Sequence, residues 1–582
     1  MTALSETTSL DPVTFAVIRN GLTAAVREMF TVFKRTTTFP GLYEYNDFGM
    51  SLYDADLNML ADAPGLPIFV GSLDAALRDS IAVLGGPEAL HPGDIIVNNH
   101  PFLTGGHPPD AAVVQPVFFE GEIIAYSVLR AHMGDVGSMT PYPSSSTEMW
   151  QEGTIYPAVK LYRAGELNEE FLRMVRVNSR MPNETAGNFL AAAGALRACS
   201  RKLLTIVERY GLDRYRAANA ELLDQGERAA RAAIARIPDG NYVFEDYLDN
   251  DGVDLSPIKL RCTVTIDGSD VTIDFTGSDP TRTGPLNCPL PYTVTAARFA
   301  LKRITTPERL ANSGEHRMLT VIAPENTVCN PQPPAPTFLG AWTCFRISDM
   351  IVHALAQAAD GWIPAQNGGD SCSVGGLVFD PWTGKPDFFT AMSGLGYGGL
   401  QGHDGMDSRI HPTLAGGPTI PVEMVEQRTA VRCHRFELAP DSGGPGEFRG
   451  GLSVTQEWEL LCRGQMTITA EKSEASTVLG LAGGESPPYR NSVRMISKGR
   501  ETRTFGKADV QANPGDIFLL APAGGGGYGN PLHRDPQAVA RDVREGYVSR
   551  KCAHDAYGVV LDADGKVAEK ATIAHRKAKL AG

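Results

Sequence analysis

Long apolar runs, paired cysteines and phosphate-binding signatures are all missing from this sequence, and each absence narrows what the chain can be. No apolar stretch approaches the length that spans a bilayer. The opening MTALSETTSLDP has neither the basic nor the apolar part of a signal peptide. Both point to a soluble, cytoplasmic protein with no membrane partner. The nine cysteines are scattered and form no CxxC pair, which leaves reduced, mostly buried thiols rather than a disulfide framework. Runs of Lys and Arg are absent, and 53 basic against 67 acidic side chains give a formal charge of −14, which argues against nucleic acid. No GxxxxGK followed by Ser or Thr occurs, and no GxSxG elbow. Nor does any cysteine stand in a signature that marks it as a nucleophile.

What is plentiful is glycine and proline, 61 and 40 in 582 residues, spread out as turn formers rather than as low-complexity tracts. The length suggests about two to four domains. Asp11-Pro12 is a helix start, and Phe15, Ile18, Leu22, Val26, Met29 and Phe33 continue it as an amphipathic helix to about Lys34. Met50–Tyr53 and Ile95–Asn98 read as strands, and residues 73–84 as a helix between them. Ser138–Trp150, with three consecutive serines, reads as a polar loop that could be a mobile lid. Helices are expected over 165–180, 184–198, 199–210 and 212–236. This first domain, 1–237, is expected to be α/β. From 238 to 534 the texture becomes β-rich, with strands at 242–248, 258–266 and 271–275 and inserted helices at 292–304 and 345–359. A helix over 536–547 and a Lys- and Ala-rich tail make up 535–582. The fold class is therefore mixed, α+β or α/β, with an N-terminal α/β domain, to which the metal-binding reading below belongs, ahead of a β-rich portion with inserted helices.

The stretch that suggests chemistry is Asn98–Gly137. Two strand-like runs, Ala111–Phe119 and Ile123–Leu129, join through Glu120-Gly121-Glu122, a hairpin signal. His107 and Asp110 precede the first run, and His132 and Asp135 follow the second. A hairpin brings its ends together, so His107, Asp110 and His132 should meet. Two imidazoles and a carboxylate suit Zn, Mn or Fe, with room for a water. Each group also has an ordinary reading: Asp after Pro-Pro is a common turn residue, and a histidine at a strand end is usually structural. Asp47 is either a turn carboxylate or a further ligand, and the residues alone favour the turn.

Two glycine-rich stretches, 394–399 and 524–529, fit GxGxxG, but neither opens a helix, so they read as turn or close-approach glycines. His403-Asp404 and the Glu423/Glu426 pair read as loop chemistry.

Several motifs in fixed order carry a resemblance: Asn46-Asp47-Phe48, Asn98-Asn99-His100-Pro101, Gly105-Gly106-His107 to Asp110, and Arg130-Ala131-His132 to Gly137. Gly165-Glu166-Leu167-Asn168, Asp274-Phe275-Thr276-Gly277, Gly284–Asn287, Asp441–Gly446 and the Gly524–Pro531 segment continue it. From about residue 10 to 550 the chain resembles the hydantoinase B family, the B subunits of ATP-dependent hydantoinases, 5-oxoprolinases and caprolactamases, with acetone and acetophenone carboxylase subunits as more distant kin. His100 departs from the Asp usual in that motif, and Pro108-Pro109 from the usual spacer after the histidine. The resemblance implies a divalent metal (Zn, Mn or Fe) on His107, Asp110, His132 and Asp47, with His132 and Asp135 as catalytic groups and Asp135 as orienter or base. It further implies ring opening of a hydantoin, lactam or 5-oxoproline by water, with ATP and Mg held by an A-type subunit, in an α2β2 complex. The alternatives are a ketone carboxylase subunit, or a structural or regulatory subunit whose metal only stabilises it.

Overall fold

The first helix, Pro12–Thr36, begins where Asp11 caps it, its carboxylate accepting from the N–H groups of Val13 and Thr14 at 3.1 and 2.9 Å. Phe15, Ile18, Leu22, Val26, Met29 and Phe33 form its buried stripe, as the periodicity predicts. That stripe packs on a second long helix, Pro182–Tyr210, which carries buried alanines at 186, 191, 192, 193, 195 and 198. The computed structural model describes residues 10–63, 65–358, 361–497 and 502–581.

These helices cover one face of a seven-stranded sheet. Its strands are β1 (Phe48–Asp54), β2 (Met59–Asp62), β3 (Ile95–Asn98), β4 (Asp110–Phe119), β5 (Glu122–His132), β6 (Val159–Arg163) and β7 (Glu166–Leu167), in the order β2-β1-β5-β4-β3-β6-β7. Every pairing is antiparallel. Within β4 and β5, Val113 and Leu129 face the helix-covered core, while their neighbours Val114 and Val128 face a second core built with Leu73, Leu77 and Ile81. The central hairpin is thus buried on both faces, which fixes its register.

A four-stranded sheet follows (Gly240–Leu248, Ile258–Asp267, Asp270–Asp274 and Leu319–Ile322), with alternating burial along Ile258–Asp267. Helices Leu290–Thr305 and Gly340–Leu355 share its core. Two further sheets, of four and five strands, complete the β-rich portion, and Leu377 of Ser373–Phe379 reaches the first core. The mixed class holds. Among the described residues no helix is long and apolar enough to cross a membrane.

Several local expectations change. Residues 165–180 split into β7 and a helix, Glu169–Val177, because Ala164 and Gly165 take positive φ and make a turn, after which Asn168 caps the helix. The helices expected over 184–198 and 199–210 are one, since Cys199 and Ser200 continue the buried face without a breaker. The expected helix 345–359 begins earlier, at Gly340, and its last residue lies outside the described residues, as do 1–9. Beyond Pro536–Arg544 the tail holds two more helices, Arg550–Asp555 and Glu569–Ala581. The serine loop is tied down. Ser144 and Ser145 donate to Asp509, and Ser146 to Glu152, so each of the three hydroxyls meets a carboxylate. The two glycine-rich stretches pack backbone to backbone: the Gly399 N–H donates to the Gly526 carbonyl at 2.9 Å. All nine cysteines are free.

Candidate metal centre

The register of β4 and β5 pairs Asp110 with His132, so the hairpin's open end sets both side by side. His107 joins them through the turn before β4. Asn99 holds that turn, its amide donating to the carbonyls of Pro108 and Thr154 at 2.8 and 2.9 Å. Gly106 has φ +91°, and a side chain there would run into Arg130, Asp110 and Tyr292, so glycine is required. The donor atoms of His107, Asp110 and His132 lie within 4.8 Å of one another, and all three residues are buried. Among the described residues this is the one group of three or more His, Cys, Asp and Glu side chains with such spacing.

The polar atoms here are poised for a cation. The His107 Nδ1–H donates to the Phe338 carbonyl at 2.8 Å, which leaves Nε2 with a lone pair 3.2 Å from Asp110 Oδ1. Two acceptors at that distance need a proton or a metal between them. His107 Nε2, Asp110 Oδ1 and His132 Nδ1 are all buried without a hydrogen-bond partner among the described residues. This donor set fits Zn, Mn or Fe. Burial pushes the His132 ring down to about 4, so it is neutral and free to ligate. Burial opposes the charged forms of Asp110 and His107, but their mutual attraction outweighs it, holding Asp110 below and His107 above the ordinary range.

The other oxygen of Asp110 accepts from the Tyr292 hydroxyl at 3.0 Å, with the Arg130 guanidinium 3.5 Å away. Arg130 also donates to Ser72 Oγ and to the carbonyls of Thr104 and Gly105, and stacks between Phe69 and Tyr292. Glu152, buried, accepts from the backbone N–H groups of Thr337 and Phe338, and so positions the carbonyl that holds His107. Tyr292, Phe338 and Glu152 went unrecognised in the sequence because no local spacing links them to the hairpin. Arg130 stands in the Arg130-Ala131-His132 motif, which by itself gives it no role.

Asp47 stands just before β1, its carbonyl accepting from the His132 N–H at 3.1 Å. Its carboxyl is raised to about 8, first by burial and then by Asp110. It lines a cavity of about 70 Å³ together with Phe39, Tyr45, His132, Tyr142 and Trp342, and stands outside the group of donor atoms that lie within 4.8 Å of one another. Asp135 is placed otherwise than expected. Its carboxylate is taken by the Arg180 side chain and backbone N–H, and it makes no hydrogen bond to His132. His100, in the departing position, has a buried Nδ1 with no hydrogen-bond partner among the described residues and lies outside the triad. Asp404 is bound by Arg534 and Glu426 by the Cys433 N–H, which makes both structural.

The hydantoinase B/oxoprolinase family model matches residues 11–531. The chain belongs to the hydantoinase B/oxoprolinase family. The caprolactamase subunit beta of Pseudomonas jessenii is 30% identical over 98% of this chain and all of its own length. The crystal structure of ATP-dependent caprolactamase from the same organism superposes with a TM-score of 0.89 at 29% identity, covering 98% of this chain and 100% of that one. A nucleotide-free acetone carboxylase structure matches with a TM-score of 0.86 over 99% of this chain and 84% of its own; at 20% identity this shows a shared fold alone.

Proposed function

We propose that this hydantoinase B-type chain is the metal-holding subunit of an ATP-dependent hydrolase that opens a cyclic amide such as a hydantoin, lactam or 5-oxoproline. His107, Asp110 and His132 hold a divalent metal (Zn, Mn or Fe), and Asp47 closes the side facing the cavity. The observation that carries this reading is the set of three converging buried donor atoms that have no other partner among the described residues. The names of the relatives supply the reaction class.

A divalent cation bound there supplies Lewis acidity at neutral pH. The chain's own residues do the rest. The Phe338 carbonyl fixes the His107 tautomer, and Arg130 with Tyr292 holds the outer oxygen of Asp110 in place. Phe39, Tyr142 and Phe338 pack around the imidazoles and limit water to what the cavity admits. An unstrained amide is a poor electrophile, so activation falls to ATP and Mg on an A-type partner, in an α2β2 complex in the cytoplasm. Asp135 serves by fixing Arg180 and the chain after β5.

The test is metal analysis of wild type, His107→Ala and His132→Ala, with ATP-dependent turnover of hydantoins and lactams and a labelled-bicarbonate arm. Metal and turnover lost together in folded variants is the expected result. Turnover that survives metal loss sinks the reading, and label in the product would assign a carboxylase instead.

A further inference from the structure

Next to the metal cavity lies a larger one, of about 470 Å³, and the two share Tyr45, Thr390 and Met392 as walls. Tyr45 is held there by its neighbours. Asn46 adopts a left-handed φ of 56°, its side chain accepting from Lys34 Nζ at 2.8 Å and donating to the Gly416 carbonyl at 3.3 Å. This bend sends Tyr45 and Asp47 to the same cavity. The Tyr45 ring lies against Gly417, where an added Cβ would sit 2.9 Å from Cζ. Its hydroxyl oxygen is buried and has no hydrogen-bond partner among the described residues. A buried, unpartnered hydroxyl is costly, and a rigid setting that preserves one at a reaction centre suggests an acceptor that arrives with the ligand.

We propose that Tyr45 is a catalytic residue that donates its phenolic O–H to the amide oxygen of the substrate. There it stabilises the negative charge that develops on that oxygen as water adds to the carbonyl carbon; the charge returns to re-form the C=O bond as the ring C–N bond breaks, and the proton given up by the water goes to the ring nitrogen. The ring walls both cavities, so the proposal puts the reacting carbonyl on the Asp47 and His132 side of Tyr45 and the rest of the substrate toward the larger cavity. No proton leaves Tyr45: it acts as a hydrogen-bond donor throughout, as donors of an oxyanion hole do. This assignment rests on the cyclic amide hydrolase reading.

The decisive comparison is wild type against Tyr45→Phe, which keeps the ring on Gly417 and removes only the hydroxyl. Metal content is measured first, then calorimetric binding of hydantoin and of a cyclic phosphinate whose charged oxygen imitates the tetrahedral state, then kcat and KM with the partner present. Metal content and hydantoin affinity should be unchanged, while phosphinate affinity and kcat each fall about 100-fold, the usual loss for one such donor. Unchanged phosphinate affinity and kcat overturn the role of Tyr45 and leave the hydrolase reading standing. Wild type that binds neither probe and turns over no amide overturns both. If Tyr45→Phe does not fold, Gly417→Ala displaces the ring instead and should show the same two losses; its full retention of both overturns the proposal.

Discussion

Arg130, fully buried, sets its guanidinium 3.5 Å from the outer oxygen of Asp110 while donating to Ser72, Thr104 and Gly105. One side chain therefore holds both the carboxylate and the backbone of the turn that carries His107. Removing it leaves a buried charge and several acceptors without donors. Arg130→Met is expected to lower stability by about 3–5 kcal/mol, the range for breaking a buried pair from one side, as read from urea unfolding. Arg130→Lys should not restore it, because an ammonium cannot span donors that a planar fork reaches together. Wild-type stability in the lysine variant would show that charge alone suffices.

Asp47 gives a pH test with a definite sign. Its carboxyl rises from 3.8 to about 8 on folding, mainly through burial. The metal-free native state then binds a proton that the unfolded chain has released. Its contribution to stability is full below about 4 and is lost as pH rises through about 8. Metal-free wild type should therefore lose stability relative to Asp47→Asn between about pH 5 and pH 8. Adding Zn or Mn should reverse the order, since a cation favours the carboxylate, and binding should release protons. Thermal melts over this range, with calorimetry in buffers of different ionisation enthalpy, measure both. A flat difference between the two proteins would remove Asp47 from the titration.

How much of this was legible in the sequence follows from the range of the interactions. The meeting of His107, Asp110 and His132 was readable because a hairpin is local: two strand-like runs joined by a Glu-Gly-Glu turn bring its ends together, and the register pairs Asp110 with His132. The first helix was readable for the same reason, from a cap and a 3.6 period. Tyr292 and Phe338 were not, because they come from a helix and a loop far along the chain, and only the packing of the second core brings them in. Asp135 misled because closeness in sequence to His132 does not give closeness at the ring. After the strand ends, the chain turns toward Arg180 instead. The serine loop misled in the opposite sense, since Asp509 and Glu152, which restrain it, lie on other segments.

Glu152 makes the long-range part of the site testable. Its Oε1 accepts from the N–H groups of Thr337 and Phe338 and from Ser146, each at 2.8 Å, and Oε2 accepts from Thr337. Every partner is a donor, so Glu152→Gln turns an amide N–H₂ toward at least one of them while keeping the side chain's shape. The variant should lose about 1–3 kcal/mol of stability. The loop it holds also carries the carbonyl that orients His107, and outer-shell changes of this kind cost about 10–100-fold in metal affinity. Competition with a chelator at a pH where the variant is folded separates the two effects. Metal affinity equal to wild type in a destabilised Glu152→Gln would mean that His107 keeps its orientation without the Phe338 carbonyl, and that Glu152 braces the fold alone.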